Sequence, residues 1–293
     1  MMEPWIDETF LARLANLRVI VRGRRKGRLA GLHPSPRAGV SVEFADYRDY
    51  TPGDDFRYID WNICGRLNRV LVKSFVHEGD LPIYLLVDLS TSMRLGTPSK
   101  ARYAARLAAA LAYLGLRGLD RVGLYPFTDR LLPVVAPRHG MGQMTHVVHA
   151  LERMPSAGKT SIDRALTEFV SKSHESGLVF LLSDFLSDAG YEEGFSRLFH
   201  RGDEVVVIQI LDPEELRPTI KGSVLVTDVE TAGKIPLVIG RGTLELYERR
   251  LGAYLAKLRG YLSDHRVFYV LAPTDVPLEV LIHERLRAGG ILQ

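Results

Sequence analysis

Ile83-Tyr84-Leu85-Leu86-Val87-Asp88-Leu89-Ser90-Thr91-Ser92 is a short apolar run that stops at a carboxylate and continues with two hydroxyls at alternate positions. The run is long enough for one buried strand. An extended chain sends alternate side chains to the same side, so Asp88, Ser90 and Ser92 are expected to converge on one point. In open α/β sheets, ligands bind outside the carboxyl ends of the strands, where this cluster would lie. Oxygen donors carrying little charge suit a hard cation, Mg²⁺ first and Mn²⁺ or Ca²⁺ after it. Ser and Asp also crowd into turns and helix caps, so a plain strand-to-loop turn would look the same.

Two later segments weigh on that choice. Gly158-Lys159-Thr160-Ser161-Ile162 precedes a helix-like apolar pattern at Ile162, Ala165, Leu166 and Phe169, which places Thr160 on a loop. Leu178-Val179-Phe180-Leu181-Leu182-Ser183-Asp184 is a second apolar run ending on a carboxylate. Both runs are nearly continuous, as in a parallel sheet covered on both faces. If the two strands are neighbours, Asp88 and Asp184 face each other across one crevice, while Ser183 alternates to the other side and points away.

Asp88-x-Ser90-x-Ser92, then Thr160, then Asp184, resembles the metal-ion-dependent adhesion site of von Willebrand factor A domains. That resemblance implies that Ser90, Ser92 and Thr160 bind the cation directly and that Asp88 and Asp184 act largely through water. It leaves the sixth position for a carboxylate of a protein partner. Neutral hydroxyl ligands keep the ion electrophilic, and Mg²⁺ keeps water readily in its octahedral shell.

The rest of the chain reads as alternating strands and helices. Thr97-Pro98-Ser99 suggests an N-cap with Pro at the first helical position. An Ala- and Leu-rich helix follows over residues 103–116, with Gly115 and Gly118 as stop signals. Strands are expected at 122–127, 205–211 and 267–272, a short antiparallel edge at 131–135, and a helix at 144–154. This is a doubly wound, mostly parallel α/β sheet with a smaller N-terminal β-containing appendage. The expected domains are 1–80 and 81–293, the second carrying a β-hairpin insertion around 212–240.

The 293 residues are 46% hydrophobic and 25% charged, which is ordinary for a globular protein, and the net charge of +3 makes no case for nucleic acid. No apolar stretch approaches the roughly 20 residues of a membrane span. The acidic, polar first residues are unlike a signal peptide, and the single Cys64 excludes an intrachain disulfide. A cytoplasmic location is expected. The basic run at 22–28 follows an apolar helical pattern at 10–21 and reads as a solvated loop, or as a contact for phosphate or an acidic surface. His33, His77 and His139 are scattered. His146 and His149 have helical ligand spacing but lack a third ligand nearby.

Ahead of the first strand, residues 43–61 pack carboxylates, arginines and aromatics around the turn signal Pro52-Gly53. Asp54, Asp55 and Asp60 are expected to pair with Arg48, Arg57 and Arg66 beneath Trp61, in a network that is structural or partner-binding. The stretch from 39 to 78 is similar to the signature region of a widespread bacterial family, the domain of unknown function fifty-eight. The matching residues are Glu43-Phe44, Arg48-x-Tyr50-x-x-Gly53-Asp54-Asp55-x-Arg57-x-Ile59-Asp60-Trp61, Arg66, Leu71-Val72 and Phe75-x-x-Glu78. Gly65 departs from the Ala more usual before the Arg, and the membrane spans of many relatives are missing.

The resemblance implies an accessory role beside a MoxR-type AAA+ ATPase. The chain has no Gly-x-x-x-x-Gly-Lys-Ser/Thr of its own, so ATP-driven work would come from the partner. The expected function is a non-enzymatic, chaperone-like adaptor that captures an acidic side chain of the ATPase or its client through Mg²⁺. The alternative is a Mg²⁺-dependent phosphohydrolase using Asp88, Lys159 and Asp184. It is weakened by Ser90, which stands where a second acid would be needed. Binding of nucleic acid or acidic lipid through 22–28 is a third reading, and it predicts steep salt dependence and indifference to chelation.

Overall fold

The computed structural model describes residue 19 and residues 42–49, 64–65, 70–77, 82–153, 157–187, 189–227 and 233–292. The chain divides into two compact units, Arg25–Asp80 and a larger one made of Met1–Arg24 and Leu81–Gln293. In the smaller unit, β1 (Val42–Asp49) pairs antiparallel with β2 (Leu71–His77), with a register shift between Phe44 and Asp46. Of the signature residues, Arg48 lies on β1. Tyr50, Gly53, Asp54, Asp55, Arg57, Asp60, Trp61, Arg66 and Glu78 lie outside the described residues, as do the basic run at 22–28 and most of 10–21. Val19, assigned by sequence to the N-terminal appendage, instead forms an antiparallel bridge to Leu292 within the larger unit.

The sheet of the larger unit opens with β3 (Pro82–Asp88), all seven residues of which are buried. A 3₁₀ turn at Thr91–Arg94 leads to α1 (Lys100–Arg117), then β4 (Arg121–Phe127) and β5 (Val135–Arg138). Next come α2 (Gly142–Arg153), α3 (Ile162–Lys172), β6 (Leu178–Ser183), α4 (Glu192–Arg201) and β7 (Glu204–Leu211). The single turn α5 (Pro213–Leu216) precedes an antiparallel hairpin, β8 (Gly222–Thr227) and β9 (Lys234–Ile239). The chain continues with α6 (Arg241–Asp264) and β10 (Phe268–Pro273), and a π-helical turn at Leu281–Leu286 follows.

The six-stranded sheet has the order β10-β7-β6-β3-β4-β5, with every pairing parallel except β4–β5. The chain leaves β3 for β4 on one side and later returns to β6 on the other, so β3 stands at the switch of winding direction. A crevice opens there at the carboxyl ends of the strands. Apolar layers cover both faces. Leu85, Val87, Phe180 and Ile208 pack under α1, and Tyr84, Leu86, Leu181 and Val207 pack with Phe169 and Phe195 of α3 and α4. This is why the strands read as unbroken apolar runs rather than alternating ones.

Several local expectations shift. The N-cap of α1 is Ser99, whose hydroxyl accepts from Arg102 N–H, so Pro98 lies before the cap and not at the first helical position. Gly115 lies inside α1 and does not stop it. A Cβ there would come within 2.7 Å of Ile83 Cδ1, so the glycine allows the helix to approach the sheet. The edge strand falls at Val135–Arg138 instead of 131–135, with only a bridge between Phe127 and Leu131 ahead of it. Pro133 and Pro137 flank and interrupt this edge, and Pro cannot donate to a ladder. Among the described residues, no helix is long and apolar enough to cross a membrane.

Candidate functional site

The end of β3 is organised by its own carboxylate. Ser90 N–H donates to Asp88 Oδ1 at 2.9 Å, turning the chain out of the strand, and residues from Thr91 enter the 3₁₀ turn. Ser90 Oγ and Ser92 Oγ end 3.0 Å apart. The 3₁₀ turn, not continued extension, brings Ser92 to Ser90. The loop carrying Thr160 is sewn to this end by main-chain bonds, Thr91 N–H to Gly158 O at 2.9 Å and Ala157 N–H to Leu89 O at 2.9 Å. Gly158 makes that path possible, because its φ of 91° is left-handed backbone that side chains rarely adopt. Thr160 Oγ1 then donates to Asp88 Oδ2 at 3.4 Å. Asp88, Ser90, Ser92 and Thr160 are all buried and form one hydrogen-bonded group.

Ser183 does not point away. The register pairs Val87 with Leu182, so the next residues, Asp88 and Ser183, stand opposite each other and their side chains share a face. Ser183 Oγ donates to Asp88 Oδ2 at 2.6 Å and accepts from Phe185 N–H at 3.1 Å. The sequence holds this information, but only once β3 and β6 are aligned. Asp184, one residue further on, turns elsewhere. Its Oδ1 accepts from Leu186 N–H at 3.0 Å, and its Oδ2 accepts from Lys100 Nζ at 2.8 Å. Asp184 therefore joins the group through its charge and not through a hydrogen bond to Asp88.

Lys100 was not singled out by its sequence context. It opens α1 and is fully buried, and its ammonium also meets Glu215 Oε1. The only signal was a lysine in a helical first turn that holds no acidic residue. Burial alone would lower its pKa. The Asp184 and Glu215 carboxylates outweigh burial and hold it above its ordinary value. Burial, followed by the negative charge of Asp184, pushes the Asp88 carboxyl up to about 7, against the hydrogen bonds from Ser183 and Ser90. Lys159 is exposed, and so are His146 and His149.

The donor set tests the expected cation. Three neutral hydroxyls and one carboxylate are all oxygen ligands, the chemistry of Mg²⁺, Mn²⁺ or Ca²⁺. Adjacent ligands on an octahedral ion at 2.0–2.1 Å stand about 2.9 Å apart, and the Ser90 and Ser92 oxygens are 3.0 Å apart. Among the described residues, no group of three or more His, Cys, Asp or Glu is placed to hold a metal, so a site for softer or more highly charged coordination is not in view. The residues present fit a hard cation.

Residues 46–249, well over half of the chain, match the family described as "Protein of unknown function DUF58". The chain belongs to DUF58. This DUF58 chain is 27% identical over 230 residues to the uncharacterised proteins Rv1480 of Mycobacterium tuberculosis and Mb1516 of Mycobacterium bovis, covering 77% of its own length and 72% of theirs. Among solved structures it is similar to the conserved hypothetical protein BatB from Bacteroides thetaiotaomicron, with a TM-score of 0.44 and 16% identity, over 72% of this chain and 98% of that one. It is also similar to the manganese-loaded TRAP protein of Plasmodium vivax, with a TM-score of 0.33 and 22% identity, over 45% of this chain and 57% of that one.

Proposed function

We propose that this DUF58 protein is a non-enzymatic adaptor that captures an acidic side chain of a protein partner through a divalent cation. The observation behind the reading is the buried group of Ser90, Ser92 and Thr160 hydroxyls around the single carboxylate of Asp88. When bound, Mg²⁺ or a similar ion supplies an electrophilic position for a partner's Asp or Glu. Ser90, Ser92 and Thr160 would hold it directly and add no charge. Asp88, oriented by Ser183 and by Ser90 N–H, and Asp184, oriented by Lys100, would hold its water. The family resemblance points to a MoxR-type AAA+ ATPase, or its client, as the cytoplasmic partner. A hydrolytic role has little support here, because Ser90 replaces the second acid and Lys159 faces solvent.

The test is a pull-down from lysate with wild type and Ser90→Ala/Ser92→Ala, each in Mg²⁺ and in EDTA, with the fold checked by circular dichroism. The expected result is a partner lost on both mutation and chelation. Partners retained under both conditions would overturn the reading and move binding to the Arg48–Trp61 region.

A further inference from the structure

Lys100 is a buried charge beside the site to which the proposed function gives only the orienting of Asp184, and its position is costly. An ammonium removed from water loses its hydration, and a cation in the first turn of a helix faces the positive end of the helix dipole. Lys100 bears both penalties at the start of the eighteen-residue α1, and its side chain is 0% exposed. Two carboxylates from separate elements offset them: Asp184 after β6, at 2.8 Å, and Glu215 of α5. Glu215 is itself fixed, because its Oε2 accepts from Asp212 N–H at 2.8 Å in a reciprocal capping box. Tyr247 of α6 donates its hydroxyl to Glu215 O at 2.6 Å. The ammonium is therefore held between two carboxylates, one of them itself fixed in place.

We propose that Lys100 sets the charge of the cation site, holding its affinity for divalent ions down and leaving the loaded site less fully neutralised toward an acidic ligand. This rests on the cation-binding reading above. The carboxylates of Asp88 and Asp184 stand beside the hydroxyls, and Lys100 bonds Asp184 while sharing its charge with Glu215. Its positive charge opposes a divalent ion, and a loaded site is less fully neutralised toward a partner's carboxylate with the lysine than without it. Glu215 tempers the lysine, so removing the glutamate makes the site more positive.

The experiment is a calorimetric titration with Mn²⁺ of the full chain as wild type, Lys100→Met, Glu215→Gln and Ser90→Ala/Ser92→Ala, with thermal unfolding of each. One unit charge acting on a divalent ion over several ångströms changes affinity by more than tenfold even at an effective dielectric constant of about 20. Lys100→Met is expected to bind Mn²⁺ at least about tenfold more tightly, and Glu215→Gln several-fold more weakly. The Glu215 side chain is 18% exposed, so its amide variant keeps a folded reference if the methionine variant does not fold. Unchanged or weaker binding in Lys100→Met, or an unchanged affinity in Glu215→Gln, overturns the proposal while leaving the cation site in place. Wild type that binds no Mn²⁺, or a double serine variant that binds as wild type does, overturns the cation site itself and this proposal with it.

Discussion

Ser183→Ala removes a single oxygen that has two partners. Ser183 Oγ donates to Asp88 Oδ2 at 2.6 Å and accepts from Phe185 N–H at 3.1 Å, all within the buried end of the sheet. Losing a hydrogen bond to a charged group costs about 1.5–3 kcal/mol, and leaving a buried amide without an acceptor costs about 1–3 kcal/mol. Because both bonds end on one atom, part of the loss is recovered by local adjustment, and about 3 kcal/mol is the expected destabilisation. Outer partners of metal ligands are worth about ten- to a hundredfold in metal affinity. The same variant should therefore bind Mn²⁺ more weakly by about that factor. Urea unfolding in EDTA reads the first quantity, as a shifted midpoint at constant slope. Titration calorimetry reads the second. A variant with wild-type midpoint and Mn²⁺ affinity within about twofold of wild type would refute the reasoning, because it would mean that Ser183 neither orients Asp88 nor supports the site.

Other perturbations have equally definite outcomes. Wild type should gain thermal stability on addition of Mg²⁺ by mass action and lose it in EDTA, whereas Ser90→Ala/Ser92→Ala should show the same melting temperature in both, read by differential scanning fluorimetry. Gly158→Ala places a side chain at a φ of 91°, at a cost of about 1–2 kcal/mol, and should weaken Mn²⁺ binding because the loop that carries Thr160 must move. Phe169→Ala empties a fully buried position whose ring stands edge-on to Tyr84 at 5.0 Å and to Tyr125 at 4.9 Å. It should lower stability by about 3–5 kcal/mol in chemical denaturation.

The sheet was legible because burial on both faces removes polar residues from the strands, leaving runs such as Ile83–Val87 and Leu178–Leu182 that only a covered parallel sheet explains. Ser90 and Ser92 are legible from spacing and Thr160 only through the resemblance, and extension alone does not account for Ser92, since a 3₁₀ turn brings it to Ser90. Ser183 was misread because alternation along one strand says which residues share a face but not which face the neighbouring strand presents. That is a matter of register, which a single strand does not encode. Lys100 escaped because a lysine at a helix start looks like a solvated residue, and its two acidic partners lie 84 and 115 positions away. The cap of α1 lies two residues beyond the expected Thr97 because Thr97, Pro98 and Ser99 all carry start-signal chemistry, and it is Ser99 whose hydroxyl accepts from an amide.

The short strand β5 bears on how molecules of this protein meet one another. An open sheet offers its outermost strand as a template on which a second chain can lengthen the ladder, the usual route from a folded protein to an aggregate. Here that outermost strand is four residues long, contains Pro137 and ends in Arg138. A proline offers no N–H to an incoming chain, and an arginine resists being stripped of water. The flank beside β4 is thus a poor template for uncontrolled growth of the sheet from that side.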